Sequence, residues 1–570
     1  MSFDLTIMIA GEAGQGLNTL SSILLKMLAQ SGYHLFASQD YMSRIRGGHN
    51  FTKIRVSNKP LYSSVSASHL LVALNQESVD LHLNHLSSPS IIVHDLDTVQ
   101  VNKTGEICDI AAPIRKIAVD SGNALYGNSV VLGILTALLK LELTGLTDIL
   151  KASFVKKAAK DRKGNIKAAT EGFRYLSDNF QNLNIPLGRV KEKNRMLISG
   201  TESIALGMMA GGLRFISAYP MSPSTGIFTY ITSKAGRLGI VSEQAEDEIA
   251  ACNMAMGASA AGARSAVTTS GGGLSLMCEG ISLSGMAEIP LVIINMQRPG
   301  PATGFPTRTA QEDLDLVLHI GHGEFPRFIF APGTAEEAFY TSIKAMNLAE
   351  KYQVPVFILG DQHLADSYVT LDRLNANKVK YKSYLAENGA LKKPYLRYKI
   401  TRSGVSPLAH YGQDKIHFIV DSHIHTEDGH ISEEMNVAKK MVEKRFRKLN
   451  GMKKEFSGPQ YYGPKNAKTL FVSWGSTYGA VRETIDCLLA EKKSVAMVHY
   501  NKIWPFPVEE SIEILKSRKD ICVVENNYQG QFERLLQRET NIKTGKPVLR
   551  YDGRPFDVQF IIDMFEKRQK

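Results

Sequence analysis

A few places in this sequence gather side chains whose types and spacing could do chemistry. Glu246, Asp247 and Glu248 form an acidic trio that opens a small-residue helix. Acids in a first turn are stabilised by the helix macrodipole, which is the ordinary reason to find them there. Ser222 lies between Pro220 and Pro223, which fix the backbone around it, so its hydroxyl is held rigidly where it could orient a substrate. Ser224, just beyond, is expected to cap the following helix. A Pro/Gly-rich loop, 297–309, follows an apolar run of strand length and carries Arg298 and Thr307. Loops of this kind often meet ligands, and a guanidinium offers a planar fork that matches a carboxylate; the competing reading of Arg298 is a bridge between subunits. Near the N-terminus Gly11-x-x-Gly14-x-Gly16 ends another strand-like run. Backbone N–H groups of Gly14, Gln15 and Gly16 could approach an anion there, or the glycines could simply make a tight turn. The spacing is not the dinucleotide fingerprint Gly-x-Gly-x-x-Gly. The basic loop 44–50, with Arg44 and Arg46, could meet phosphates or an adjoining domain. His423, His425 and His430 surround Glu427 and Asp428, a grouping that invites a metal reading but is expected to be a surface loop.

The elements that must position these residues read as α/β throughout. Residues 5–10, 70–74 and 91–93 are strand-like, and 17–29 and 130–141 carry helical apolar spacing. Strands alternating with helices imply a mostly parallel sheet. Apolar periodicity fades over 177–193, which reads as a linker. A second α/β unit runs from 197 to about 366, with strands near Phe215, Ser265, Leu291 and Val356. From about 371 to 464 the pattern weakens into a long excursion rich in Lys, Tyr and Gly. A third α/β unit begins at 469, with strands at 494–498 and 521–525.

Composition narrows the function classes. The chain has 570 residues and a formal net charge of +11. That charge is spread along the sequence, and the basic run 439–448 reads as a solvated helix face, so nucleic acid is not expected as a partner. Acidic small molecules and acidic electron carriers account for the bias equally well. No apolar stretch is long enough for a membrane span, and the N-terminus lacks signal-peptide features, so a cytoplasmic protein is expected. The five cysteines are scattered, which points to buried reduced thiols and not to a disulfide framework or cluster site.

The segments 218–225 and 244–251, with Thr268-Thr269-Ser270-Gly271-Gly272-Gly273 beyond them, resemble the pyrimidine-binding half of a thiamine-diphosphate enzyme. The family is that of the 2-oxoacid:ferredoxin oxidoreductases. The resemblance spans nearly the whole chain and implies a fused gamma–alpha type of alpha subunit. Its expected parts are a gamma-type domain over 1–180 near the coenzyme A site, a pyrimidine-type domain over 195–385, and a transketolase C-terminal-like domain over 386–570. Counting back from Gly257-Ala258-Ser259 implies that Glu248 is the carboxylate that bonds the pyrimidine ring, with Glu246 as runner-up. Ser222 stands where the family usually has the Thr that meets the 2-oxoacid. Arg298 and Thr307 match its substrate-binding positions. Gly14, Gln15, Gly16 and Arg46 fall near the coenzyme A site. The Trp474-Gly475-Ser476-Thr477 and 525–531 segments resemble packing and assembly motifs, and no catalysis is assigned to them.

The sequence lacks a Gly-Asp-Gly segment followed by Asn, and lacks four clustered cysteines. The resemblance therefore implies that magnesium, the diphosphate site and a four-iron cluster belong to a beta subunit, in an (alpha-beta)2 heterotetramer that passes electrons to ferredoxin. The loop 297–304 and His322-Gly323-Glu324-Phe325-Pro326-Arg327 most resemble the 2-oxoglutarate branch, whose product is succinyl-CoA. A branched-chain or broad 2-oxoacid enzyme is the close alternative, and a non-catalytic dinucleotide-binding scaffold is the alternative of another class.

Overall fold

The computed structural model describes residues 3–43, 47–102, 106–181, 183, 185, 187–188, 190, 195–391 and 393–569. The chain forms two compact units, Met1–Ile198 with Ser367–Arg373, and Ser199–Asp366 with Leu374–Lys570.

The first unit is built on an 8-stranded sheet. Asp4–Glu12, Ser68–Ala73, Leu86–Asp95 and Ile107–Ala112 run parallel, as the alternation of strands and helices predicts. The rest of the sheet departs from that expectation. His34–Asp40 and His49–Ser57 pair antiparallel with each other, and His49–Ser57 pairs antiparallel with Asp4–Glu12. His34–Asp40 ends in three polar residues and His49–Ser57 intersperses polar with apolar ones, so neither forms the continuous apolar run that marks a parallel core strand. Tyr368–Leu371 joins this sheet beside His34–Asp40, although the sequence places it where the excursion begins. Its four residues are too few to show a period. Leu17–Gln30 and Gly127–Leu138 bury their apolar faces against the sheet in one core with Leu5, Ile7 and Ile9.

The second unit carries a 7-stranded and a 5-stranded sheet. In the first of these, Val241–Gln244, Phe215–Ala218, Ser265–Thr269, Leu291–Gln297, Pro355–Asp361 and Phe328–Phe330 run parallel. Lys502–Trp504 closes the edge antiparallel. In the other, Val495–Tyr500, Thr469–Trp474, Asp520–Glu525 and Val548–Leu549 are parallel, with Gln460–Tyr462 antiparallel at the edge. One apolar core is common to both sheets, with Ile293, Ile329 and Phe357 packed in the same cluster as Trp474, Tyr500 and Phe532. This continuity lets the C-terminal sheet buttress loops that leave the other one.

The basic helix Met435–Arg447 corrects an expectation. Its Lys444 and the adjoining Lys448 are buried, not solvated. Both bind the carboxylate of Glu288, at 2.6 Å and 2.5 Å. The residues Met441, Lys444, Arg445 and Lys448 follow the i, i+3, i+4, i+7 spacing of a buried stripe, in which lysine and arginine stand where apolar side chains are usual. Among the described residues, no helix is long and apolar enough to cross a membrane.

Candidate active site

In an open parallel sheet, ligands bind beyond the carboxyl ends of the strands. Ser222, Glu248, Ser270–Gly273 and Arg298 all lie there in the 7-stranded sheet. They follow Phe215–Ala218, Val241–Gln244, Ser265–Thr269 and Leu291–Gln297 respectively.

Glu248 is the first residue of the helix Glu248–Ala260, and Asp247 caps that helix by accepting from the Ala250 N–H at 2.7 Å. The cap turns the acids in different directions. Glu246 is exposed, whereas Glu248 is only 3 % exposed. Its Oε1 is buried without a hydrogen-bond partner. Burial pushes its carboxyl above the usual glutamate range; its own backbone N–H opposes this and Asp247 adds to it. The carboxylate lies against Gly273, where a Cβ would stand 2.4 Å from Glu248 Oε1 and 2.2 Å from Thr269 Oγ1. Only glycine leaves that space open. The hydroxyls of Thr268 and Ser270 are also buried and unpartnered. Orphaned buried polar atoms are costly, and the one on Glu248, in the space that Gly273 keeps open, marks a place where a polar ligand can complete the bonding.

A second carboxyl, Asp313, stands on the other side of the glycine turn. A Cβ on Gly271 would meet its Oδ1 at 2.4 Å. Asp313 accepts from Asn295 Nδ2 at 2.9 Å, and its N–H donates to Gln297 Oε1 at 3.0 Å. Burial pushes it up to about 6, with Asn295 and Arg298 pulling the other way and Glu312 adding to the rise. Arg298 is itself lowered by burial and raised by Asp313. Arg298 Nη1 donates to the Ser222 carbonyl oxygen at 2.7 Å, so these two predicted residues meet beyond the carboxyl ends of the strands. Thr307 is buried farther along the same loop. Sequence reasoning missed Asp313 and Asn295. An Asp just before Leu314–His319 reads as a helix start, yet its side chain makes no capping bond.

Other expectations need correction. Ser224 stands at the start of Thr225–Leu238, but its hydroxyl donates to the Met221 carbonyl at 2.8 Å and does not cap the helix. His423 and His430 are exposed, but His425 is fully buried, its ring tilted against Tyr398 at a centroid distance of 3.9 Å and its Nδ1 at 2.8 Å from the His423 carbonyl. Among the cysteines, Cys252 and Cys522 are buried and pushed up to about 12 by burial, whereas Cys487 is exposed. Arg327 of the 322–327 motif is buried, with Nη1 donating to the carbonyls of Val317 and Ile320.

In the first unit, Gly14 and Gly16 have positive φ, 104° and 76°, as the tight turn after Asp4–Glu12 requires. The Gln15 side chain bonds its own turn: Oε1 accepts from Glu12 N at 2.7 Å, and Nε2 points to the Leu74 carbonyl at 3.4 Å. The turn therefore presents mainly backbone. Arg46 lies outside the described residues.

Three family models cover this chain. They are described as pyruvate ferredoxin/flavodoxin oxidoreductase (residues 6–175), the thiamine-diphosphate-binding part of pyruvate flavodoxin/ferredoxin oxidoreductase (206–444), and pyruvate:ferredoxin oxidoreductase core domain II (467–561). A 2-oxoacid:ferredoxin oxidoreductase subunit alpha from Sulfolobus is 32 % identical over 97 % of this chain and 95 % of its own length. The chain belongs to this oxidoreductase family. A 2-oxoglutarate oxidoreductase subunit from Mycobacterium tuberculosis is 26 % identical, covering 94 % of the chain and 87 % of the relative. A solved 2-oxoglutarate:ferredoxin oxidoreductase from Magnetococcus marinus, with 2-oxoglutarate, coenzyme A and succinyl-CoA bound, matches with a TM-score of 0.93 and 29 % identity over all of both chains. Membership of an enzyme family along the whole length removes the scaffold reading.

Proposed function

We propose that this chain is the alpha subunit of a thiamine-diphosphate-dependent 2-oxoacid:ferredoxin oxidoreductase and provides the pyrimidine side of a site that a beta subunit completes. In this reading the assembled enzyme converts 2-oxoglutarate, coenzyme A and oxidised ferredoxin to succinyl-CoA, carbon dioxide and reduced ferredoxin, and can run in reverse. The observation that carries it is Glu248, a buried carboxylate with an orphaned oxygen in a space that Gly273 keeps open.

These residues fit the cofactor. Thiamine diphosphate, when bound, supplies a carbon nucleophile for the keto group and an electron sink for decarboxylation. Glu248 holds the pyrimidine ring through its unpartnered Oε1, and its burial makes that oxygen a better proton holder. Arg298, steadied by the Ser222 carbonyl, has further donors for a substrate carboxylate. Ser222 and Thr307 orient the keto end. Magnesium, the diphosphate site and a four-iron cluster are assigned to the beta subunit. Expressed alone, the chain is then expected to bind no iron and to bind thiamine diphosphate only weakly. Tight magnesium-dependent binding in calorimetry of the isolated chain sinks the two-subunit reading.

Arg298→Lys tests the substrate assignment. Lysine keeps the charge but cannot offer two parallel N–H groups. Losing a charge-assisted hydrogen bond costs about 1.5–3 kcal/mol, roughly ten- to a hundredfold in kcat/KM. Kinetics of the assembled complex with 2-oxoglutarate, pyruvate and a branched-chain 2-oxoacid should show a parallel loss for all three. A loss for 2-oxoglutarate alone moves Arg298 to the distal carboxylate, and no loss makes it structural. The wild-type ratios in the same assay decide between 2-oxoglutarate and a broad or branched-chain specificity. The broad reading draws on the relative that is 32 % identical and named only as a 2-oxoacid enzyme, and the 2-oxoglutarate reading on the solved 2-oxoglutarate enzyme that matches the full chain.

A further inference from the structure

The loop that carries Arg298 and Thr307 leaves one sheet and returns along the other. Its returning limb is hydrogen-bonded to C-terminal residues at Thr309, Gln311 and Glu312. Thr309 N–H donates to the Gly553 carbonyl at 3.1 Å, and Thr309 Oγ1 accepts from His363 N–H at 3.2 Å. Gln311 is fully buried and makes four bonds to residues at or just beyond strand ends of the C-terminal sheet. Its N–H donates to the Asn526 carbonyl at 2.7 Å, and its carbonyl accepts from Asn527 Nδ2 at 2.9 Å. Its Nε2 donates to the Trp474 carbonyl at 2.9 Å, and its Oε1 accepts from Asn526 N–H at 3.0 Å. Asn527 is fixed in turn by donating to Glu525 Oε2 at 2.7 Å and accepting from Gly530 N–H at 2.8 Å.

Trp474 and the 525–531 segment are the two C-terminal motifs to which the sequence assigns no catalytic part. Their backbone and side chains converge on one glutamine, four residues after Thr307. We propose that Gln311, clasped by Trp474, Asn526 and Asn527, is a positioning residue for the reaction, setting the height and register of Thr307 over the substrate. The inference rests on the reading of Thr307 as a substrate contact. Small misplacements of a contacting group are expensive in rate, because a shift of about 1 Å from the productive pose can cost about a hundredfold.

The test uses the assembled complex and four variants: Gln311→Met, Gln311→Glu, Thr307→Val, and Gln311→Met with Thr307→Val. Gln311→Met keeps the volume and removes both amide bonds. It should assemble and lose about ten- to a hundredfold in kcat/KM for the 2-oxoacid, with KM for coenzyme A unchanged. If it acts through Thr307, the double variant should be little worse than Thr307→Val alone, since residues that act as a unit are not additive.

Gln311→Glu supplies the conservative arm and stands in if the methionine variant fails to fold. A protonated carboxyl there can donate to the Trp474 carbonyl and accept from Asn526 N–H, whereas the carboxylate cannot donate. Activity relative to wild type should therefore recover as pH falls from about 8 to about 6, a pH dependence that a merely structural role does not give. Wild-type kinetics in Gln311→Met, full additivity with Thr307→Val, or a flat pH ratio for Gln311→Glu overturns the positioning role and leaves the site reading standing if Thr307→Val is impaired. Wild-type kinetics in Thr307→Val overturns the reading of Thr307 and the positioning role with it.

Discussion

Replacing Glu248 with Gln lowers turnover of the assembled enzyme by about a hundredfold or more, the scale of losing acid–base participation. The amide keeps the size of the side chain and an acceptor oxygen, so the space beside Gly273 stays filled in the same way. What disappears is the negative charge and its proton affinity. The sign of the stability effect separates this from a folding defect. Burial raises the Glu248 carboxyl above its usual value, so the folded chain holds the proton more tightly than the unfolded one. Between the two values, stability falls as pH rises, and above them the ionised, buried carboxylate is a fixed cost. Glu248→Gln removes that cost, and at neutral pH the variant should melt at the same temperature as wild type or higher. Calorimetry beside steady-state kinetics measures both. Near-normal turnover in an intact complex would transfer the role to Glu246, which is exposed and follows the same strand.

The second large effect lies away from the site. Glu288→Gln is expected to destabilise the second unit by about 3–5 kcal/mol, because it leaves buried cations without their counter-charge. Lys444 and Lys448 both reach this carboxylate, and Arg397 Nη2 donates to the Glu288 backbone carbonyl at 2.7 Å. Burial alone raises Glu288, but Lys448, Lys444 and Arg397 outweigh it and hold the carboxyl well below the usual range. Its contribution is therefore fully present above the ordinary value of 4.5 and is lost as pH falls through the depressed one. The lysines act at the other end. Burial lowers both despite Glu288, so the unfolded chain binds more protons over the window below their ordinary 10.5, and stability rises with pH there.

Hydrogen exchange of the helix Met435–Arg447 and thermal unfolding of the whole complex check the substitution. Unchanged protection and melting would show that the cluster contributes nothing. Replacing Glu288, Lys444 and Lys448 together by Met should recover much of the loss, because a buried ion pair and a well-packed apolar set are often of similar stability.

The acidic trio shows how far residue types alone reach. A first-turn acid is legible from sequence, but the short, mostly exposed strand Val241–Gln244 before it is not. Which of Glu246 and Glu248 is buried depends on how Asp247 caps the helix, and the cap fixes that only once the strand end and the helix are both in place. Lys444 and Lys448 show the opposite case. Their spacing fits a buried stripe, but a lysine carries no sign of burial until a partner is found, and Glu288 is 156 residues from Lys444 in the chain.

The α/β class, the positions of Ser222 and Arg298 just beyond strand-like runs, the first-turn place of Glu248 and the glycine turns were all legible in the residues alone. These depend on apolar runs, glycines and prolines acting over a few residues, where local sterics and burial period dominate. Only the tertiary structure decided the antiparallel strands within the first sheet, the return of Tyr368–Leu371 to it, the pairing of Arg298 with Ser222, the approach of Asp313 to the glycine turn, and the clasp on Gln311. Apart from the hairpin of His34–Asp40 with His49–Ser57, each of these joins groups far apart in the chain. A hydrogen bond or ion pair across such a span gains free energy only after the core has brought its partners together and removed them from water, and no local pattern records that condition.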